Sequence, residues 1–369
     1  MPVGFPTKVN YATGDVLSAT NMNDLSGTVN LLESAQYAAA KNKIINGDFG
    51  INQRNFTSNT ANGTFNFDRF YQTNGGSGTL TTTPQTFTAG TAPVAGYEAT
   101  NFVRCITATG TTTTTYALLT QKIEDVRTFA GQTVTVSFWA KAASGTPKLS
   151  VELQQEFGTG GSTAVNAPAS AAFTLSTSWV RYSTTIALAS ISGKTIGTGS
   201  SVFCNVWFSA GSDFNTRANS IGVQNGTFDT WGWQVEAAST ASPFQTATGT
   251  KQGELAACQR YYNRYTPGTS AYGMLSSAGV ATSTTLVRAT FALPVEMRVA
   301  PTAVDYSTLR FLDPGSATGA ISAANLLSTE QSPKVAFVEF TSTGLTANRP
   351  TFIETNASTS GYVGFTAEL

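Results

Sequence analysis

Between Lys43 and Thr246 the apolar residues recur at every second position, a spacing that a pleated strand turns into one buried and one outward face. Thr133-Val-Thr-Val-Ser-Phe-Trp-Ala140 sends Val134, Val136 and Phe138 to one side and Thr133, Thr135, Ser137 and Trp139 to the other. The stretch 149–157 repeats the arrangement, with Leu149, Val151 and Leu153 inward and Ser150, Glu152, Gln154 and Glu156 outward. In 202–208, Val202, Cys204, Val206 and Phe208 share one face, and Phe203, Asn205 and Trp207 share the other. Further strands are expected at 116–123, 179–188 and 228–236, whereas 73–96 and 109–115, rich in Thr and Gly, read as loops or a ragged edge hairpin. Many short strands separated by Gly, Ser and Asn turns make an antiparallel sandwich. Composition agrees: threonine is about one residue in six and there are 34 Gly, the residues of pleated strands and tight turns.

The alternation breaks at 249–266. Glu254-Leu-Ala-Ala-Cys-Gln-Arg-Tyr-Tyr262 has good helix formers with apolar residues at Leu255, Cys258, Tyr261 and Tyr262, so a connector helix or turn is expected there. After Pro267 the period of two returns at 283–293, 303–311, 334–341 and 362–368, which gives a second, smaller β-sandwich over 267–369. A chain of 369 residues can bury two cores. Before the first sandwich, Met22, Leu25, Val29, Leu32, Gln36 and Ala39 are spaced alternately three and four apart, one stripe of a helix with Thr20 or Asn21 at its N-cap. That stripe packs on its own domain or against identical helices and neighbouring subunits. The chain thus divides into a segment over 1–42 that carries this stripe and the main sandwich over 43–248.

Charged residues are only 11%, balanced at 21 basic and 21 acidic, which gives no electrostatic reason for a nucleic-acid or anionic-membrane partner. Cys105, Cys204 and Cys258 are odd in number and lack CxxC spacing, so they read as small buried apolar residues. No basic start precedes an apolar stretch and no run of about twenty apolar residues exists, so neither a secretion signal nor a membrane span is expected. The chain has no histidine, which removes Ser-His-Asp and Cys-His catalysis and imidazole metal sites. A hydrolase would then need paired carboxylates. Glu152 and Glu156, about 13 Å apart at the usual strand rise, are too distant for either glycosidase geometry.

Two motifs bracket the main sandwich: Lys43-Ile-Ile-Asn-Gly-Asp-Phe-Gly-Ile-Asn-Gln-Arg54, with Phe67-Asp-Arg-Phe-Tyr71 soon after, and Trp231-Gly-Trp-Gln-Val-Glu236. Together they resemble the jelly-roll carbohydrate-binding-like domain of bacteriophage tail fibres and related virion proteins. Tyr11-Ala-Thr-Gly-Asp-Val-Leu-Ser-Ala-Thr-Asn-Met-Asn23 is similar to a phage fibre amino-terminal segment, and Gly253-Glu-Leu-Ala-Ala-Cys-Gln-Arg-Tyr-Tyr262 to the joint that follows such domains. The resemblance implies a non-enzymatic virion protein, made in the host cytoplasm and acting outside the cell. It would be a tail fibre or receptor-binding subunit, homotrimeric, attached to other virion proteins through Met22, Leu25, Val29 and Leu32 and recognising a host-surface glycan. A head fibre or capsid decoration protein built from the same modules is the alternative, and a polysaccharide depolymerase is a third class.

Stacking a pyranose needs a flat aromatic ring on a rigid strand, with planar amide or carboxylate groups beside it for the hydroxyls. The outward faces supply Trp139 and Trp207 with Glu152, Gln154 and Asn205; the same tryptophans equally suit cover by a loop or a neighbouring subunit. Trp179, Trp231 and Trp233 read as core or strand-end anchors. The resemblance also implies a structural calcium where the first and last strands meet, with Asp48 and Asp229 as the matching carboxylates. Calcium takes six to eight oxygens, which two acids do not specify, and Asp48 alone also suits an Asx turn.

Overall fold

The computed structural model describes residues 41–315 and 317–369. The expected stripe of Met22, Leu25, Val29 and Leu32 lies outside the described residues. The first part of the chain forms β1 (Thr64–Phe65), β2 (Phe70–Gly75), β3 (Thr79–Thr86), β4 (Asn101–Ala108), β5 (Tyr116–Glu124), β6 (Thr133–Ala142), β7 (Lys148–Glu156), β8 (Val165–Pro168), β9 (Phe173–Thr174), β10 (Val180–Ala187) and β11 (Ser201–Ala210). A one-turn helix α1 (Asn215–Ala218) and the long strand β12 (Gly226–Glu236) complete it. The strands make a jelly-roll β-sandwich of two antiparallel sheets. One has the order β1-β2-β5-β11-β7-β8, with β9 also on β7; the other is β10-β6-β12-β4-β3. The inward residues read from the alternation, Val134, Val136, Phe138, Leu149, Val151, Leu153, Val202, Cys204, Val206 and Phe208, all join one buried core between the sheets. Of the two readings of 73–96, the edge hairpin is the nearer, since 79–86 is a full edge strand paired antiparallel with β4. Its Pro84 is tolerated on an edge, where one row of backbone groups needs no partner.

The two bracketing motifs meet. Lys43 N donates to Val235 O at 2.9 Å, Asn42 Nδ2 to Trp233 O at 3.0 Å, and Trp233 N to Gly47 O at 3.0 Å. A Cβ on Gly47 would lie 2.2 Å from the Trp233 carbonyl, so only glycine allows this approach. Within β12 a bulge at Gly232 shifts the register against β6 between Trp231 and Gln234. It sends the two tryptophans to opposite faces. Trp233 stacks on core Phe138 with centroids 4.1 Å apart, while Trp231 packs outside on Trp139 at 5.3 Å.

The connector begins as α2 (Lys251–Gln259), capped by the Thr250 hydroxyl accepting from Gly253 N. Its last part differs from a simple joint, because β13 (Tyr262–Tyr265) pairs with the final strand. The rest comprises β14 (Gly279–Ala281), β15 (Leu286–Ala292), β16 (Ala303–Ser307), β17 (Leu309–Leu312), β18 (Thr318–Ala320), β19 (Ala323–Leu326), β20 (Val335–Thr341), β21 (Pro350–Thr355) and β22 (Tyr362–Thr366). A three-stranded sheet β13-β22-β16 faces a seven-stranded sheet β18-β17-β21-β14-β15-β20-β19 across a second core that includes Val287, Phe291, Phe311, Phe340 and Phe365. The expected strand at 303–311 is two strands in different sheets, joined through Thr308 at φ 51°.

A polar clamp ties the second body to the first. Glu368 is paired with both Arg54 and Arg69, and Arg69 lies over the Tyr261 ring at 3.4 Å while only 2% exposed. Arg54 covers the Tyr262 ring at 3.6 Å. Arg260 and the Tyr261 hydroxyl both bond Glu124, at 3.0 and 2.8 Å. Arg69 sits at φ 75°, a left-handed conformation costing on the order of 1–3 kcal/mol for a non-glycine residue. Its buried partners hold it there.

Candidate functional site

The outward face of the β1-β2-β5-β11-β7-β8 sheet is where the register lines up polar and aromatic side chains. Cross-strand partners run Phe65↔Tyr71, Tyr71↔Thr120, Thr120↔Asn205, Asn205↔Glu152 and Glu152↔Pro168, one continuous row across six strands. The next outward row is Lys122, Phe203, Gln154 and Asn166. Opposed side chains in such pairs are close enough to interact directly.

They do interact. Thr120 Oγ1 donates to Asn205 Oδ1 at 2.7 Å; Asn205 Nδ2 donates to Glu152 Oε2 at 3.0 Å and Gln154 Oε1 at 3.2 Å. From α1, Arg217 donates Nε to Glu152 Oε1 and Nη2 to Glu152 Oε2, both at 2.7 Å, and reaches Gln154 Oε1 at 3.1 Å. Gln154 Nε2 then donates to Glu156 Oε1 at 2.8 Å. Thr120, Asn205 and Glu152 are buried, so this network forms a fixed floor, whereas Tyr71, Phe203, Gln154, Glu156 and Lys122 are half-buried and present edges to solvent. Burial raises the Glu156 carboxyl above its ordinary range, against the pull of Arg217 and Lys122. Lys122 is held below its ordinary value by burial and by Arg69. Its Nζ lies 5.0 Å from the Phe203 ring centre and 5.4 Å from that of Tyr71.

This arrangement can hold hydroxyl-rich ligands by hydrogen bonds and ring contact. It offers no free carboxylate pair. Both Glu152 oxygens are committed to Arg217, which leaves none poised as a general base.

Four of the five residues expected to bind glycan therefore come together: Trp207, Glu152, Gln154 and Asn205. Trp139 does not join them, because it belongs to the opposite sheet. Of the two readings of these tryptophans, exposed platform or covered ring, the structure has both rings covered. Trp207 is 1% exposed, covered by α1 and its flanks through Phe214, Ala218 and Ile221, with the Arg217 guanidinium 5.2 Å from its ring centre. Trp139 is roofed by Phe244 and Trp231, with Arg181 4.7 Å from its ring. The half-exposed rings on the face are instead Tyr71 and Phe203. Alternation already set Phe203 beside Asn205 on the outward side. Arg217 left no signal, since it reaches Glu152 from a helix 65 residues away in sequence.

Asp48 and Asp229 are not brought together, each having its own partners. Asp229 accepts from Arg104 through both oxygens at 2.7 and 2.9 Å, with Lys141 at 3.7 Å. Asp48 instead makes an Asx-type contact with Gly50 N at 3.2 Å and accepts from the Tyr97 hydroxyl at 2.7 Å, beside a cavity of about 360 Å³ that Glu98, Lys251 and Glu254 also line. Asp229 is paired with cations and Asp48 with neutral donors, and among the described residues no group of three His, Cys, Asp or Glu is placed to hold a metal. Trp231 and Trp233 are buried as anchors, with Trp179 partly buried against the same core.

Residues 41–197 match the family model described as carbohydrate binding domain. The match includes Tyr71, Thr120, Lys122, Glu152 and Gln154 and stops before β11. No curated protein sequence matches the chain. Among solved structures, the enzymatically active domain of bacteriophage CBA120 tailspike protein 4 is similar at 12% identity over 54% of this chain and 22% of that one, with a TM-score of 0.33. The chain thus spans about a fifth of that tailspike's length. A family 11 carbohydrate-binding module from Clostridium thermocellum is similar at 11% identity, over 50% of this chain and 97% of that one, with a TM-score of 0.31. A xylan-binding domain from Paenibacillus barcinonensis shares 18% identity over 45% and 91% of the two chains, with a TM-score of 0.28.

Proposed function

We propose that the chain is a non-catalytic, glycan-binding subunit of a bacteriophage virion, a tail fibre or receptor-binding protein that works as a homotrimer. The observation that carries the glycan reading is the half-buried set Tyr71, Lys122, Phe203, Gln154 and Glu156, held over the fixed floor of Thr120, Asn205 and Glu152. Fixed amide and carboxylate groups beside accessible ring edges are what a sugar needs, and the match of 41–197 to carbohydrate binding domains supports the same reading. The virion reading rests on the fibre-like segments Tyr11 to Asn23 and Gly253 to Tyr262.

A printed array of bacterial surface polysaccharides tests the first part. Phe203→Ala and Gln154→Ala, which remove half-exposed groups, should each weaken binding by about tenfold, 1.4 kcal/mol, while leaving the melting temperature nearly unchanged. Undiminished binding in both variants would remove this face from consideration. Release of reducing ends from any bound polysaccharide would replace the binding reading with a depolymerase. Labelling the protein in intact particles and locating it by electron microscopy tests the virion assignment and separates tail from head.

A further inference from the structure

Lys122 belongs to the face just described, yet its ammonium is bonded by the chain after residue 367. Its Nζ donates to the carbonyl oxygen of Leu369 at 2.5 Å. Its own carbonyl accepts from Arg69 Nη2 at 2.6 Å, and Arg69 is in turn paired with Glu368. Arg54 takes the other Glu368 oxygen at 3.0 Å. Arg298, on the loop between β15 and β16, secures the same segment by donating Nε to Ala367 O at 3.1 Å and Nη2 to Glu368 O at 3.0 Å. The ammonium of Lys122 is therefore held by a segment of the second body, while its backbone lies in the β5–β11 ladder and is braced by Arg69, whose partner is Glu368.

We infer that the second sandwich completes the glycan site of the first: Glu368 and Leu369 are positioning residues that hold Lys122 between Tyr71 and Phe203. Glycan binding is thereby coupled to the docking of the two bodies. This rests on the reading of that face as the glycan site. A lysine ammonium on its flexible four-carbon stem loses substantial freedom when fixed by a ligand, and a group already fixed loses less. One Nζ hydrogen is used by Leu369, which leaves others to donate to a sugar oxygen lying along Phe203 and Gln154. Releasing the 367–369 segment frees the amine of its Leu369 partner and opens it to a reagent.

The test uses the full-length chain and two readouts. Acetylation of lysines by a limiting dose of acetic anhydride, followed by peptide mass spectrometry, should show Lys122 reacting slowly in the wild type. It should react at least threefold faster in Glu368→Gln and in Arg298→Ala, with Lys148 and Lys194 unchanged in all three. Arg298→Ala serves where Glu368→Gln fails to fold, since it releases the segment without disturbing the buried Arg69. On the polysaccharide array, Lys122→Met, Glu368→Gln and Arg298→Ala should each weaken binding of the wild-type glycan about fivefold. The Lys122→Met, Glu368→Gln double variant should then bind no worse than Lys122→Met. Equal acetylation of Lys122 in all three proteins, or full binding by Glu368→Gln and Arg298→Ala beside weakened Lys122→Met, overturns the coupling alone. A wild type that binds nothing on the array sinks the glycan reading itself and the coupling with it.

Discussion

Arg217 grips both carboxylate oxygens of Glu152 at 2.7 Å, the two meeting edge to edge from a one-turn helix and the adjacent sheet. Glu152 is fully buried and Arg217 partly exposed. Replacing Arg217 by Ala would strand a buried carboxylate and cost about 2–4 kcal/mol, less than a fully enclosed pair because water can reach the vacated site. Urea unfolding of Arg217→Ala, Glu152→Gln and the double variant checks this. Glu152→Gln should recover part of the loss when added to Arg217→Ala, and additive losses would contradict the account.

Trp207 and Trp139 act as structural cover for their sheets. Each ring is buried, so Trp207→Ala and Trp139→Ala should cost about 3–5 kcal/mol, as large core truncations do. A melting temperature within a degree or two of wild type in either variant would show that the ring is not packed as described.

Asp68 gives stability a pH dependence opposite to that of most paired carboxylates. Burial pushes its carboxyl above the ordinary 3.8, against Arg54 and the Gln53 hydrogen bonds. The folded state therefore takes up this proton first as pH falls. Its contribution to stability rises through the folded pKa and levels off below 3.8. Glu236 runs the other way: although buried, it is held below its ordinary value by Ser242, Gln234 and Lys41, so its contribution is present above 4.5 and fades as pH drops through the lowered pKa. Urea midpoints against pH should show wild type gaining on Asp68→Asn during mild acidification. A difference between the two that stays constant with pH would refute this.

Chelation should do nothing to the described fold. Asp229 is satisfied by Arg104 and Lys141 and Asp48 by Tyr97 and Gly50, so EDTA should leave the melting temperature where it was, and added calcium should not raise it. A chelator-induced fall would mean that oxygen ligands beyond these two carboxylates exist.

Light scattering of the purified full-length chain should give three times 38.6 kDa. A stable monomer at micromolar concentration would remove the trimer, and normal particle incorporation of Leu25→Asp with Val29→Asp would place virion attachment elsewhere.

The faces of individual strands were legible because alternation is a property of one strand. Val151 and Leu153 inward, Glu152 and Gln154 outward, needed no neighbour to be known. The register that sets Asn205 between Thr120 and Glu152 depends on pairing across long separations, which alternation does not encode. Exposure was harder still. Trp207 has an outward position in its strand, yet a four-residue helix too short to leave a periodic signal lies over it. Trp139 is likewise outward and likewise roofed, through a glycine bulge at 232 that turns Trp231 toward it. The edge strand β3 was obscured by its Thr- and Gly-rich surroundings; its far side carries only the isolated Asn59–Thr82 bridge among the described residues. Asp48 and Asp229 were legible as acids but not as partners, since Arg104 is 125 residues from Asp229 in sequence.

Each member of the row Lys122, Phe203, Gln154 and Asn166 comes from a different strand, and neighbouring strands stand roughly 4.8 Å apart. A polymer lying along that row would be read like text, one strand to each letter. A substitution in β7 would alter one letter while the backbone ladder keeps the rest in place, so preference for a neighbouring unit would persist. Such a surface can drift from one polymer to a related one by single changes, none of which asks the sandwich to refold.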